Sequence, residues 1–268
     1  MSEWLVLAIV MAAACAVVLV VTVLSQRRPR GTATPVGLDE REAPETPDVL
    51  EYMVMMVGVV YAIVLGLAIA GVWEARGAAQ DAVRTEAQAL HEVTQRAQVY
   101  PADFRNQLRT GIDTYVSEVV EAEWPRMVDH EELSPRGTEL LAAVRSDIAE
   151  REPRNELEAQ AYQPMLDQVA TAEDARNARA AGAGETLPGI VWFGLISGAV
   201  VTVGLIFTMQ IGRSFRELLL AGLFSALIAF LLFLVWDFDA PFGRSGSEAA
   251  DVFRQLFPTA AGAGTGTG

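Results

Sequence analysis

The sequence predicts an all-α membrane protein with four spans and a helical bundle inserted between the second and third spans. Four apolar runs occupy residues 1–24, 49–73, 187–209 and 217–236. Each run reaches the roughly 20 residues that a helix needs to cross a bilayer. Between the second and third runs the sequence has a helical periodicity. No segment alternates polar and apolar residues in the manner of a half-buried strand.

The first apolar run is expected to be a retained span. The residues before it, Met1-Ser2-Glu3, include no basic side chain, whereas a cleaved signal peptide begins with a basic region. An acidic, proline-rich linker follows at residues 25–48. At the other end, residues 237–268 form a tail that is expected to be disordered after about Pro258, because the last residues are only Ala, Gly and Thr.

Residues 74–186 are predicted to form a soluble bundle of four antiparallel helices. These helices are expected at residues 74–99, 104–124, 138–150 and 155–179. The first continues the second span out of the membrane. In the second, apolar side chains recur every three or four residues from Phe104 to Val119, and Pro125 is expected to end the helix.

Charge sets the expected partners and orientation. A net charge of −14 argues against nucleic acid, which needs a basic surface, and leaves the lipid bilayer, ions and other copies of the chain as partners. Among the short segments, arginine is concentrated in the 25–48 linker and the 210–216 turn. Because such segments face the cytoplasm, both termini and the helical domain are predicted to be extracytoplasmic in a multi-pass cell-membrane protein.

No catalytic motif is visible. The sequence has no nucleophile elbow, phosphate-binding loop or dinucleotide fingerprint, so we expect neither an enzyme nor a cofactor. The carboxylates Glu118, Glu121 and Glu123 are interpreted as a solvated helix face.

One acidic segment is a weak candidate for a divalent cation. Asp129, Glu131 and Glu132 offer oxygen ligands beside His130. An exposed acidic loop without metal is the favoured interpretation, and the lack of a second nearby His or Cys argues against zinc.

Small residues form a stripe on the second span. Gly58, Ala62, Gly66 and Ala70 are spaced by four and share one helix face, which allows close packing of helices in lipid. Tyr61 is one of the few polar residues inside a span. Because the span interiors lack charged groups, a passive pore is favoured over an active transporter. The stripe fits either a subunit or pore axis, or packing within one subunit.

Several short segments, in their order and spacing, resemble the four-span bacterial family of unknown function called bestrophin-like. The positions that carry this resemblance include Trp73, Glu74, Glu86, Glu123, Trp124, Arg176, Arg179, Pro188, Pro241, Phe242 and Gly243. The resemblance implies an oligomeric ion channel, by distant similarity to bestrophin anion channels. It also implies a cytosolic helical part, whereas the arginine distribution predicts an extracytoplasmic one.

Two functions therefore stand open. The first is a homo-oligomeric channel or channel-like pore, with the second span at or near its axis. The acidity of the helical domain would attract cations, although the resemblance implies anions. The alternative is a non-conducting membrane sensor or scaffold whose helical domain binds a ligand or a partner.

Overall fold

The computed structural model describes residues 48–130, 132–184, 186–208, 215–242 and 247–261. The α-helices in this part are α1 (Asp48–Arg96), α2 (Ala102–Glu118), α3 (Trp124–His130), α4 (Pro135–Ala149), α5 (Glu156–Ala181), α6 (Gly189–Thr208), α7 (Phe215–Phe238), α8 (Ser247–Leu256) and α9 (Pro258–Ala261). A 3₁₀ turn at Ala97–Val99 follows α1, and a π-turn at Val119–Glu123 joins α2 to α3. No strand occurs in these described ranges, which confirms the all-α class.

Three stretches in the described part are long and apolar enough to cross a membrane. They are Tyr52–Val99, Gly189–Ile206 and Leu219–Phe238, within or overlapping α1, α6 and α7. They correspond to the second, third and fourth predicted spans. The predicted first span and residues 25–47 of the linker lie outside the described residues.

The chain divides into two compact units. Among the described residues, the first unit comprises 48–72 and 187–238, and the second comprises 73–186 and the tail from 239 onward. In the first unit, Tyr61, Leu65 and Val72 of α1 form a buried apolar cluster with Leu195 of α6 and Val235 of α7.

The second unit has one large core, built by α1, α2, α4, α5 and the tail. Its most deeply buried apolar side chains include Val83, Leu90, Val93, Leu108, Ile112, Tyr115, Val116, Leu141, Met165, Val169 and Phe253. α2 packs on α4, and α4 packs on α5. The apolar side chains whose periodicity predicts α2 therefore form the side of the helix that faces this core.

Side-chain caps define where α4 and α5 begin. The Ser134 hydroxyl accepts a hydrogen bond from the backbone N–H of Gly137, and Pro135 occupies the first turn of α4, where its missing N–H is not needed. At α5, the Asn155 side chain accepts from the N–H of Glu158 and donates to the Glu158 carboxylate, both at 2.9 Å. The first bond satisfies a backbone donor that a helix start leaves without a partner, and the second holds the Asn155 amide in place.

Pro125 does not end the second bundle helix, which corrects the sequence prediction. The helix passes through the π-turn and continues as α3 to His130. A proline has no N–H to donate and disturbs the preceding turn of a helix. In the π-turn, Trp124 N–H instead bonds Val119 O, one residue further back than in an α-helix. This wider turn lets the chain continue helically past the proline.

The tail contributes side chains to the core of the second unit. α8 and α9 pack against the bundle, with Phe253, Phe257 and Ala260 buried. The Ser117 hydroxyl also donates to Ala260 O at 3.0 Å. A short helix follows at Pro258–Ala261, and residues 262–268, on which most of the disorder expected after about Pro258 falls, lie outside the described part.

Candidate functional site

Four charged side chains meet in the core of the second unit. Glu86 comes from α1, Glu123 from the end of the π-turn, and Arg176 and Arg179 from α5. Arg176 is 5% exposed to solvent, and the other three residues are fully buried. Because the two arginines are three residues apart, they lie on the same side of α5 and both face the two glutamates.

Arg179 bridges the two carboxylates. Its Nε donates to Glu86 Oε2 at 2.7 Å, while its Nη2 donates to Glu86 Oε1 at 3.2 Å and to Glu123 Oε1 at 2.7 Å. Its remaining terminal nitrogen, Nη1, lies 3.2 Å from Met127 Sδ, and its Cζ lies 5.6 Å from the centre of the Trp124 ring. The guanidinium is thus surrounded by acceptors and an aromatic face.

Arg176 holds the other side of Glu123. Its Nε donates to Glu123 Oε1 at 3.1 Å, and its Nη2 donates to Glu123 Oε2. Nη2 also reaches Ser134 O at 2.9 Å, and Nη1 donates to Thr138 Oγ1 at 3.0 Å. Because Ser134 N–H donates to Glu123 Oε2 at 3.0 Å, the start of α4 is tied to the same carboxylate.

The network leaves no room for a side chain at position 137. A Cβ built on Gly137 would lie 2.6 Å from Glu123 Oε2 and 2.9 Å from Arg176 Nη2. A glycine here allows the first turn of α4 to approach the ion pair closely.

The pKa shifts follow from burial and charge. Burial opposes ionisation of Glu123, but hydrogen bonds from Arg176 and the charge of Arg179 outweigh it and hold the pKa of this carboxyl below its usual value. Tyr115 donates to Glu86 Oε1 at 2.6 Å. Burial and the adjacent Glu86 charge raise the Tyr115 pKa well above its usual value, so the phenol stays protonated and keeps donating.

The arrangement is suited to holding helices together. Two positive and two negative charges balance, and their hydrogen bonds connect α1, the π-turn, the start of α4 and α5. All four side chains are withdrawn from solvent, so the network offers no surface for a substrate. We call these residues, with Tyr115, the ionic core.

The other motif positions lie apart from the ionic core. Phe242 packs its ring edge-on against Trp124, with centroids 5.3 Å apart, beside the buried Pro241. Trp73, Glu74 and Pro188 are exposed, and Pro188 O accepts the N–H of Val191 at the start of α6. Gly243 lies outside the described residues. The structure thus brings together Glu86, Glu123, Trp124, Arg176 and Arg179.

The solvated-face interpretation is wrong for Glu123, which is fully buried, whereas Glu121 is exposed. At the candidate cation segment, Asp129 is exposed and Glu132 pairs with Arg126 at 3.4 Å. Glu131 lies outside the described residues, and within those that are described no three His, Cys, Asp or Glu side chains are placed to hold a metal.

The small-residue stripe does not contact the other described helices. Ala62, Gly66 and Ala70 are exposed, Gly58 is partly exposed, and no atom lies within 4 Å of a Cβ built on either glycine. The residues of α1 that face α6 and α7 instead include Tyr61. The Tyr61 hydroxyl donates to Leu195 O at 3.2 Å.

Sequence reasoning missed the partners that complete the ionic core: Met127, Ser134, Gly137 and Thr138. Ser134-Pro135 is a helix-start signal that could have placed the beginning of α4. Nothing local to Met127 or Thr138 indicates their contacts with arginines about 40 to 50 residues later.

The helices and the ionic core define a helical membrane protein with an α-helical bundle. The sequence matches the Bestrophin-like domain family over residues 12–247. The chain therefore belongs to the bestrophin-like family, as the resemblance of its motifs predicts. No curated protein matches the chain.

Solved structures share the fold at low sequence identity. One variant of a bacterial bestrophin homologue from Klebsiella pneumoniae superposes with a TM-score of 0.68 at 11% identity, covering 94% of this chain and 99% of that chain. Another has a TM-score of 0.68 at 13% identity, with coverage of 97% and 99%. A zinc-phased structure of this homologue has a TM-score of 0.68 at 12% identity, with coverage of 94% and 98%.

Proposed function

We propose that the chain is a subunit of a homo-oligomeric ion channel. The observation that carries this proposal is the exposed face of α1. Only 11% of its most apolar stretch is buried within the chain. In a bilayer this face meets lipid or another protein helix, and the small-residue stripe along it is suited to close helix contact. Membership of the bestrophin-like family supports a channel.

The stripe lies on a face that the chain's other described helices leave uncovered. A larger side chain at Gly66 meets no atom of its own subunit in the described part. A loss of assembly on enlarging this residue would therefore arise from a contact outside the described part, which on this proposal is made by a neighbouring copy. On this proposal α1 lies at a subunit contact or at the pore axis.

Gly66→Leu tests the proposal in two assays. We expect the variant to lose its oligomeric state in detergent, measured by light scattering, and to lose conductance in planar bilayers. Gly71→Leu is the matched control, because Gly71 is also exposed and has open space around it but lies off the stripe. Val64→Leu is a second control, because Val64 is exposed and lies two residues from both Ala62 and Gly66, on the opposite side of the helix. If both Gly66→Leu and the controls assemble and conduct, the stripe has no such role.

Cysteine crosslinking reports the neighbouring copy directly. In a Cys15→Ala background, Ala62→Cys is expected to form a disulfide between copies under mild oxidation, because the side chain is exposed on the stripe. Val64→Cys, exposed on the opposite side of the helix, is expected to crosslink far less. Equal crosslinking of the two would indicate random collision rather than a defined contact.

Ion selectivity and orientation belong to the same proposal. Reversal potentials in asymmetric salt distinguish the anion pore implied by family resemblance from the cation pore implied by the acidity of the helical domain. The arginine distribution favours an extracytoplasmic bundle. A reporter fused after residue 268, active only on one side of the membrane, decides between this orientation and a cytosolic bundle.

The alternative is a sensor or scaffold that does not conduct. Well-folded, oligomeric protein that shows no current under any tested salt or voltage would overturn the channel and favour this second function. A cytoplasmic partner that binds the 25–48 linker would support it, and pull-downs with and without that linker test for one.

A further inference from the structure

A cavity of about 290 Å³ lies in the second unit between α1, α2 and the tail. α1 contributes His91 and Gln95, α2 contributes Arg105 and Arg109, and the tail contributes Leu256. The volume is near the lower end of the range for small-molecule sites. It suits a compound of a few carbon atoms with one or two charged groups.

The cavity is positive in a strongly acidic chain. Its charged residues are Arg105, Arg109 and Asp113, so it carries a net charge of +1 with His91 neutral, while the whole chain carries −14. Arg105 Nη1 makes a long 3.5 Å contact with Gln98 O, and Arg109 Nε lies 4.0 Å from Asp113 Oδ2. A guanidinium has five N–H donors, so these two weak contacts leave donors for a ligand.

One wall of the cavity belongs to the tail. Leu256, Phe257 and Pro258 line it, and the Phe257 ring meets the His91 ring edge-on with centroids 6.2 Å apart. Hydrogen-bond donors thus lie on α1 and α2, and apolar surface lies on the tail. A ligand that uses both sides stabilises the docked tail, because binding favours the state in which the site is complete.

We propose that this cavity binds a small organic anion bearing a carboxylate or phosphate group. Arg105 and Arg109 hold the anionic group, and the carbon skeleton lies against Leu256 and Pro258. This binding goes beyond ion conduction and does not depend on it, since the site lies wholly within the second unit.

Calorimetric titration of the full chain in detergent tests the site, with succinate and 3-phosphoglycerate as probes and inorganic phosphate as a probe without carbon. All titrations are done at one ionic strength. Arg105→Gln is expected to weaken binding by about tenfold, because it removes a charged donor. Asp113→Asn is expected to tighten binding, because it removes the competing carboxylate. Arg136→Gln, in an exposed pair with Glu139, is the control and should change nothing.

The two opposite shifts distinguish this cavity from anion binding elsewhere, including a conducting pore. The proposal is overturned if no probe binds with a Kd below about 10 mM. It is also overturned if Arg105→Gln binds as tightly as the unmodified chain. Hydrogen exchange gives a second measurement: the bound anion should slow exchange in residues 247–261. Unchanged exchange there would refute the link to the tail.

Discussion

Replacing Arg179 with methionine removes the charge that bridges both glutamates of the ionic core. Methionine keeps an unbranched chain of similar length, so packing changes little compared with the electrostatics. Glu123 retains Arg176, whereas Glu86 loses both bonds from Arg179 and keeps the one from Tyr115. Removing one partner of a buried ion pair costs about 3–5 kcal/mol, because the remaining charge stays buried without compensation.

Hydrogen exchange of the full chain in detergent measures this loss within the bundle. At neutral pH, amides in residues 84–90 and 119–127 should open with a free energy lower by about 3–5 kcal/mol in Arg179→Met. Arg136→Met removes an arginine whose side chain is 62% exposed and pairs with Glu139, so its exchange should match the unmodified chain.

A double variant separates charge from packing. In Glu86→Gln with Arg179→Met, the stranded carboxylate is neutral, so part of the lost stability should return. A single-variant loss below about 1 kcal/mol would refute the reasoning, because it is smaller than the cost of a stranded buried charge. A double variant no more stable than Arg179→Met would assign the loss to packing.

Three further predictions concern close contacts and pH. Gly137→Ala should lower stability by about 1–3 kcal/mol in thermal unfolding, since its Cβ would lie 2.6 Å from a Glu123 oxygen. Folding lowers the pKa of Glu123, so the free energy of unfolding is expected to fall as pH drops below about 4.3. Glu123 alone contributes at most about 1.4 kcal/mol per pH unit to this fall. Gly198→Ala should lower the melting temperature, because its Cβ would lie 2.7 Å from the Tyr61 ring.

Each of these predictions has a matched comparison. Gly77→Ala and Gly204→Ala place a Cβ in open space within helices and should be neutral or stabilising. If Gly137→Ala or Gly198→Ala behaves like them, the close contact is relieved at no cost. For the pH effect, Glu123→Gln removes the titrating group, so an acid slope identical to that of the unmodified chain would assign the slope to other carboxylates.

The apolar helices could be predicted because their signal is local. A run of about 20 apolar residues has one favourable environment, and α1, α6 and α7 follow from it. The periodicity from Phe104 to Val119 likewise predicts α2, because every inward side chain is apolar and in phase.

The ionic core could be located only in part. Resemblance singled out Glu86, Glu123, Arg176 and Arg179 without indicating that they touch. Local reasoning placed Glu123 in solvent, since a carboxylate is buried only when a partner neutralises it. That partner, Arg176, lies 53 residues away, and the contact depends on how the bundle places the π-turn beside α5.

The packing of α8 on the bundle was not predicted, although a local signal existed. Phe253 and Phe257 are four apart and so lie on one side of a helix. Both bury their rings in the core. The disorder expected after about Pro258 concerns the segment beyond them, whose Ala, Gly and Thr residues carry no such signal.

The π-turn keeps a third cation away from the two core arginines. An α-helix continued from Val119 would return to the core side about 3.6 and 7.2 residues later, directing residues near Glu123 and then Arg126 inward. In the structure Glu123 and Met127 are buried, while Arg126 is exposed. The wider turn therefore places the Met127 sulfur, and not a guanidinium, beside Arg179, so a shift of one residue in helical phase separates attraction from repulsion at this point.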